Sequence, residues 1–191
     1  MPAEVYSKDI ENALYVLKKS GIILYPTDTI WGIGCDATNE DAIQKIYKLK
    51  KRSNSKALVI LVSNESEIAR YVYQPDKYLL DYLKSTTKPT TVIYENAINL
   101  PSSLLGEDNT IAIRIVKDPF CKELIGMFKG AVVSTSANLS EEPTPKYFGE
   151  ISDVIKKGVD YIVKYRQEDT SSHQPSSIIK SKGDGGIEII R

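Results

Sequence analysis

Three short segments carry side chains suited to chemistry on a charged small molecule. Leu24-Tyr-Pro-Thr-Asp-Thr-Ile-Trp-Gly-Ile-Gly-Cys-Asp-Ala37 leaves an apolar run and crowds hydroxyls, a carboxylate and two glycines into a turn. Lys50-Lys-Arg52 is strongly cationic, and Ser134-Thr-Ser-Ala-Asn138 is a run of small hydroxyl and amide side chains. Together they offer what a nucleotide site needs: positive charge for phosphates and close polar contacts for a small substrate. The combination and order of the three carry the argument, because each has a plainer reading.

Lys45, Lys48, Lys50, Lys51, Arg52 and Lys56 form a stretch with no acid between its ends. That is either a solvated helix face, favoured by the helix dipole, or a local positive field at a site. Lys50 lies one turn beyond Ile46 and so borders the apolar side. Thr27, Asp28 and Thr29 read as a Pro-Thr-Asp turn or as polar groups at a strand end, with Gly32 and Gly34 open to close backbone approach. Trp31 is either a core residue or a wall for a substrate. Ser134, Ser136 and Asn138 are a capped turn or a set of binding groups. Nucleophilic catalysis by one of these serines finds little support, because the only histidine, His173, stands in Thr170-Ser-Ser-His-Gln-Pro175, which reads as an exposed loop.

The elements that must position these residues can be read from periodicity. Glu11 to Lys19 carries Ala13, Leu14 and Leu17 on one helical face and closes at Ser20-Gly21. Gly21 to Tyr25 is a buried strand stopped by Pro26. Thr38-Asn39 before Glu40-Asp41 starts a helix that runs to about Arg52. Residues 57–62, 90–94, 110–115 and 131–133 read as strands, and 66–73 and 76–84 as helical. Asp118-Pro119 opens a helix with proline in its first turn, ending near Phe128. Ser177-Ile-Ile-Lys180 and Ile187-Glu-Ile-Ile190 flank Gly183-Asp-Gly-Gly186 as a hairpin. Strands interleaved with helices predict a single α/β domain over 1–191, with a twisted, mostly mixed sheet flanked by helices around a concave nucleotide-binding cleft.

Composition narrows the chemistry. Twenty-five basic and 25 acidic residues cancel, so net charge steers the chain toward neither nucleic acid nor membrane. The two cysteines, Cys35 and Cys121, are far apart, and a single histidine leaves no familiar zinc spacing. No apolar run approaches the roughly 20 residues that cross a bilayer, and the N-terminus lacks a signal-peptide pattern. The cytosol is therefore the expected compartment. Without GxxxxGK[ST] or GxGxxG, side chains must grip much of any phosphate.

With these motifs in view, the chain resembles the YrdC-like family, whose best-understood members are threonylcarbamoyl-AMP synthases. Tyr25 to Gly34 matches its opening segment, and Lys50 and Arg52, followed by Lys56, match its Lys-x-Arg motif. Ser136 and Asn138 match its Ser-x-Asn, Arg114 a strand-end arginine, and Pro175 to Ile178 a late Pro-Ser-[Ser/Thr]-Ile. The chain departs from the family pattern at Ser53 and Ala57, where prolines are common, at Lys88, and at Glu141, where glycine is usual.

The resemblance implies an enzyme that makes threonylcarbamoyl-adenylate and pyrophosphate from L-threonine, bicarbonate and ATP, for N6-threonylcarbamoyladenosine in tRNA. It implies ATP contacts from Lys50, Arg52, Lys56, Ser134, Ser136, Asn138 and Ser176, with Lys50 and Arg52 stabilising the reaction. Thr27, Thr29, Thr91, Arg114 and Ser177 would receive threonine. Mg2+ would arrive with ATP and need no protein cage. The extent of the match is that of the short form, without an appended domain. Implied partners are downstream threonylcarbamoyl transferase proteins and tRNA or double-stranded RNA at the Lys45–Lys56 cluster. Two alternatives share the fold: a double-stranded RNA-binding paralogue without synthase activity, and a carbamoyl-transfer enzyme.

Overall fold

The computed structural model describes residues 2–52, 58–171, 175–182 and 186–190. Its helices are α1 (Pro2–Lys18), α2 (Glu40–Lys50), α3 (Lys77–Ser85), α4 (Pro119–Phe128) and α5 (Asp153–Gly158). The strands are β1 (Ile23–Tyr25), β2 (Gly32–Gly34), β3 (Val59–Val62), β4 (Thr90–Tyr94), β5 (Ile111–Ile115), β6 (Val132–Ser136), β7 (Tyr161–Ile162), β8 (Ser177–Ser181) and β9 (Ile187–Ile189). Among the described residues these strands form one mixed sheet in the order β7-β1-β2-β6-β3-β5-β4-β8-β9.

The two faces of the sheet bury different helices, and the strand period of two decides which residue faces which. Ile23, Tyr25, Leu61 and Val132 pack with Ile10, Leu14 and Leu17 of α1 and with Phe120, Leu124 and Ile125 of α4. Their neighbours Leu24, Ile60 and Val133 turn the other way, onto Ile43 and Ile46 of α2, Leu79 and Leu83 of α3, and Ile155 of α5. The result is a helix–sheet–helix sandwich with a core on each side. A fully buried Leu or Ile contributes about 1.5–3 kcal/mol, so these faces dominate the favourable terms.

The expected α/β class and mixed sheet agree with this architecture. Asn39 caps α2 as its position predicts, accepting from the Ala42 amide at 2.9 Å. The first helix starts much earlier than Glu11, because Tyr6 and Ile10 continue the buried stripe of Leu14 and Leu17. Ser134 to Ser136 lie within β6 rather than after it, paired with β2 and β3. The strand β2 has no sequence signature, being three residues of which two are glycine.

Gly34 is required by packing rather than by a ligand. A Cβ there would lie 2.6 Å from Tyr25 Cε1 and 2.6 Å from the Val133 carbonyl oxygen. Gly34→Ala is therefore expected to lower stability by about 1–3 kcal/mol. Gly126→Ala on α4, where a Cβ meets nothing within 4 Å, should instead gain about 0.5–1 kcal/mol. Urea unfolding of both variants checks the contrast; equal midpoints would refute the packing argument.

Candidate active site

The cationic segment is aimed by the end of α2. Lys51 takes a left-handed conformation (φ 51°) and closes the helix, and the Arg52 amide returns to the Tyr47 carbonyl at 2.9 Å. This turn throws Arg52 away from the helix while Lys50 stays on its buried face. Only 1% of Lys50 is exposed. Its ammonium donates to the carbonyl oxygens of Ser136 and Asn138, and its own carbonyl accepts from the Ser140 amide at 2.9 Å. Burial first, then the Arg52 charge, brings its pKa down to about 8. Of the two cations expected at the phosphates, Arg52 lines the cleft, whereas Lys50 is a strut beneath the turn after β6.

That turn also engages Asn138. Its side-chain amide donates to the carbonyls of Leu139 and Glu142, at 3.0 and 2.7 Å. Asn138 shapes the turn rather than lining the cleft in this conformation. Ser134, Thr135 and Ser136 of β6 do line it.

Across the sheet, Arg114 stands on β5 with Leu61 and Thr91 as register neighbours. Its guanidinium is buried beside Asp28, with Nη2 at 3.2 Å from Oδ1, and both side chains are 7% exposed. Nη2 also donates to Thr27 Oγ1 at 3.4 Å, while Nε has no hydrogen-bond partner among the described residues. The other oxygen of Asp28 accepts from the Lys117 amide at 3.3 Å. Thr27 Oγ1 donates to the Ile30 carbonyl at 2.7 Å and accepts from the Thr29 amide at 3.1 Å. The turn after β1 is thus organised around one hydroxyl and one ion pair.

Ser176 is brought beside Thr91 because β8 pairs in parallel with β4. Its hydroxyl lies 2.9 Å from Thr91 Oγ1, and Ser177 begins the strand with an exposed side chain.

These elements enclose a cleft of about 360 Å³. It brings together Thr29, Arg52, Arg114, Ser134, Ser136 and Ser176, joined by Gly32, Thr144 and Pro175. Thr27, Thr91 and Lys50 stand behind its wall, bonded to groups that form it, and Asn138 lies outside the lining, bonded within its own turn. Ser177 is not among the lining residues, and Lys56 lies outside the described ones, as does His173. Two features escaped the sequence: the Asp28–Arg114 pair, which joins residues 86 positions apart, and Thr144, which no periodic pattern marks. Trp31 is a core residue, 5% exposed and packed on Phe148.

Residues 15–191 match the family Sua5_yciO_yrdC, described as telomere recombination. The chain belongs to this family. It is 30% identical over 181 residues to the threonylcarbamoyl-AMP synthase of Pseudoalteromonas translucida, covering 93% of this chain and 95% of that protein. The threonylcarbamoyl-AMP synthase of Coxiella burnetii is 32% identical over 139 residues, 72% of this chain and 75% of that one. Among solved structures, P. abyssi Sua5 complexed with L-threonine superposes with a TM-score of 0.84 at 19% identity, over 95% of this chain and 53% of the other. E. coli YciO gives 0.78 at 24% identity, over 96% and 88%. Both structural matches establish the shared fold.

Glu141 takes φ 71°, the left-handed region that glycine enters without steric cost. The same turn is tied to Lys50 through Ser136, Asn138 and Ser140, so the contacts around it hold a conformation its own residue disfavours.

The Lys50 shift fixes a sign. The folded state binds this proton less tightly than the unfolded chain, whose lysine titrates near 10.5. Between pH 8 and 10.5 the unfolded state carries more protons, so this group's contribution to stability rises with pH there. Lys50→Met is expected to flatten that rise. Denaturant unfolding at pH 7.5, 9 and 10.5 measures it, and identical pH slopes in both proteins would contradict the buried-ammonium account.

Proposed function

We propose that this chain is a threonylcarbamoyl-AMP synthase, converting L-threonine, bicarbonate and ATP to threonylcarbamoyl-adenylate and pyrophosphate for tRNA modification. The observation that carries the reading is the cleft itself. It sets the Arg52 guanidinium, the β6 hydroxyls and the Thr29–Arg114 corner around one volume, in a chain 30% identical to a named synthase.

The chemistry needs positioning and charge stabilisation more than an enzyme nucleophile. The threonine amine combines with bicarbonate to give a carbamate and water. A carbamate oxygen then attacks the α-phosphorus of ATP, the α–β bridging bond breaks, and pyrophosphate leaves. Arg52 faces the phosphates and offers planar, two-point contacts to the charge that develops on them. Ser134 and Ser136 hold the reacting region, and Ser176, oriented by Thr91, closes it from the β8 side. Threonine occupies the Thr29–Arg114 corner, where the buried guanidinium faces its carboxylate. Mg2+ comes as part of the nucleotide substrate, carried by phosphate oxygens and water. This assignment suits the described donor set, in which Asp28, beside the cleft, is already paired with Arg114.

RNA contact is a further part of this reading. Lys48 and Lys51 border a shallow hollow on α2 that shares Arg52 with the cleft. Lys45 also borders it, with its ammonium bound to the Ser20 carbonyl at 2.8 Å. RNA held there by phosphate contacts should dissociate steeply with rising salt. The α2 face would then hand the adenylate's consumers, the downstream transferases, a tRNA near the site of synthesis.

Pyrophosphate release should require threonine, bicarbonate and ATP together, each omission abolishing it. Arg52→Ala should fold normally and lower the rate by about 10²–10³-fold. Serine should replace threonine poorly, at a cost of about 1–3 kcal/mol, whereas valine, lacking the hydroxyl, should fare worse. Bicarbonate-independent turnover, or a folded Arg52→Ala protein with full activity, would refute the mechanism.

A further inference from the structure

The turn after β1 is gripped from two sides, and the cleft explains only one of them. From the sheet, Arg114 holds Asp28 and Thr27. From the opposite side comes Arg166, in the connection between β7 and β8. Its Nη1 donates to the Thr27 carbonyl oxygen at 3.3 Å and to Asp118 Oδ2 at 3.1 Å. Its Nε donates to Asp169 Oδ2 at 3.3 Å.

Each partner is itself fixed. Asp118 caps α4, accepting from the Cys121 amide at 3.0 Å. Asp169 accepts from the amide and hydroxyl of Ser171, which hold its carboxyl at a pKa of about 2. The Lys164 and Tyr165 amides donate to Asp9 on α1, at 3.0 and 2.8 Å. Arg166 is thus anchored through α1 on one side and reaches the β1 turn and α4 on the other. Its side chain is 17% exposed, and its φ is 64°.

Arg166 does not line the cleft. It lines a narrow crevice of about 10 Å³ on the reverse of the turn, scarcely the volume of one water. Thr29 and Ile30 line both spaces, so the turn is the wall between them. A shift of the Thr27 carbonyl carries the Thr27 hydroxyl with it, and that hydroxyl bonds the Thr29 amide and Arg114.

We propose that Arg166 is a positioning residue for the amino-acid substrate, setting the Thr27–Thr29 turn against Arg114 from outside the cleft. This rests on the reading that threonine occupies that corner. Its effect should fall chiefly on one substrate, because its hydrogen bonds run to the Thr27 carbonyl and to Asp118 and Asp169, while the Arg52 end is built on α2 and β6.

Three variants separate positioning from mere stability. Arg166→Gly removes the guanidinium while suiting the left-handed backbone. Arg166→Lys keeps the charge without the fork that serves several acceptors. Asp118→Asn retains a helix cap but discharges one partner. Pyrophosphate release gives KM for threonine and ATP separately, and hydrogen exchange of Thr29 and Ile30 is followed without substrate. Arg166→Gly should raise the threonine KM about tenfold or more, as a misplaced contact group does, with the ATP KM changed less than about twofold. Exchange at Thr29 and Ile30 should quicken, Arg166→Lys should not restore the threonine KM, and Asp118→Asn should move it the same way by less. Unchanged threonine KM and exchange in an active protein would overturn the role of Arg166 alone, as would equal rises in both KM values. A wild-type protein that releases no pyrophosphate with threonine would overturn the functional reading and, with it, this inference.

Discussion

A cation removed from water must find oxygens in the protein, and that requirement shapes the turns after β1 and β6. Arg114 is the central case. It is buried on an inner strand, and the chain meets its charge by folding the turn after β1 over it, Asp28 first and Thr27 beside it. Lys50 repeats the solution with carbonyls in place of a carboxylate, drawing the turn after β6 onto the end of α2. Breaking either arrangement from one side would leave a buried charge uncompensated, which typically costs several kcal/mol. The walls of the cleft are therefore bound to the core through these two buried cations.

This explains how short, hydroxyl-rich segments hold a defined shape. Thr27 to Thr29, Ser134 to Ser136 and Ser176 have little apolar surface to bury. Their order comes from hydrogen bonds to side chains on α2, β4 and β5, elements that the two cores fix. Thr27, Thr91 and Asn138 do this work one layer back from the cleft, leaving Thr29, Ser134, Ser136 and Ser176 on its surface. Such separation suits a reaction governed by alignment, because groups locked by neighbours need no reorganisation when charge develops.

The strand order makes the site possible. Parallel pairing of β3 with β5 and of β4 with β8 brings segments distant in the chain to one region of the sheet. Ser176 is delivered beside Thr91 from 85 residues away, and Arg114 is set between Leu61 and Thr91 by register alone. The two glycines of β2 serve this arrangement: Gly34 clears Tyr25 and Val133, and Gly32 keeps its strand close to Ser134 at the cleft.

Much of the fold was legible in the sequence. Local signals were sufficient for α2, with its Asn39 cap and acidic first turn, for α4 with Asp118-Pro119, and for the alternating β5, because each rests on neighbours within a few residues. The motifs around Tyr25, Arg52, Ser136 and Pro175 likewise named the segments that meet at the cleft. Sequence alone determined which residue types were available for charge and hydrogen bonding, and which helices and strands would carry them. Only the tertiary structure decided their division of labour. It turned Lys50 and Arg52, two residues apart, to opposite tasks, and joined Asp28 to Arg114 and Arg166 to Thr27. Such assignments depend on burial and on partners remote in the chain, and a pattern of nearest neighbours contains neither.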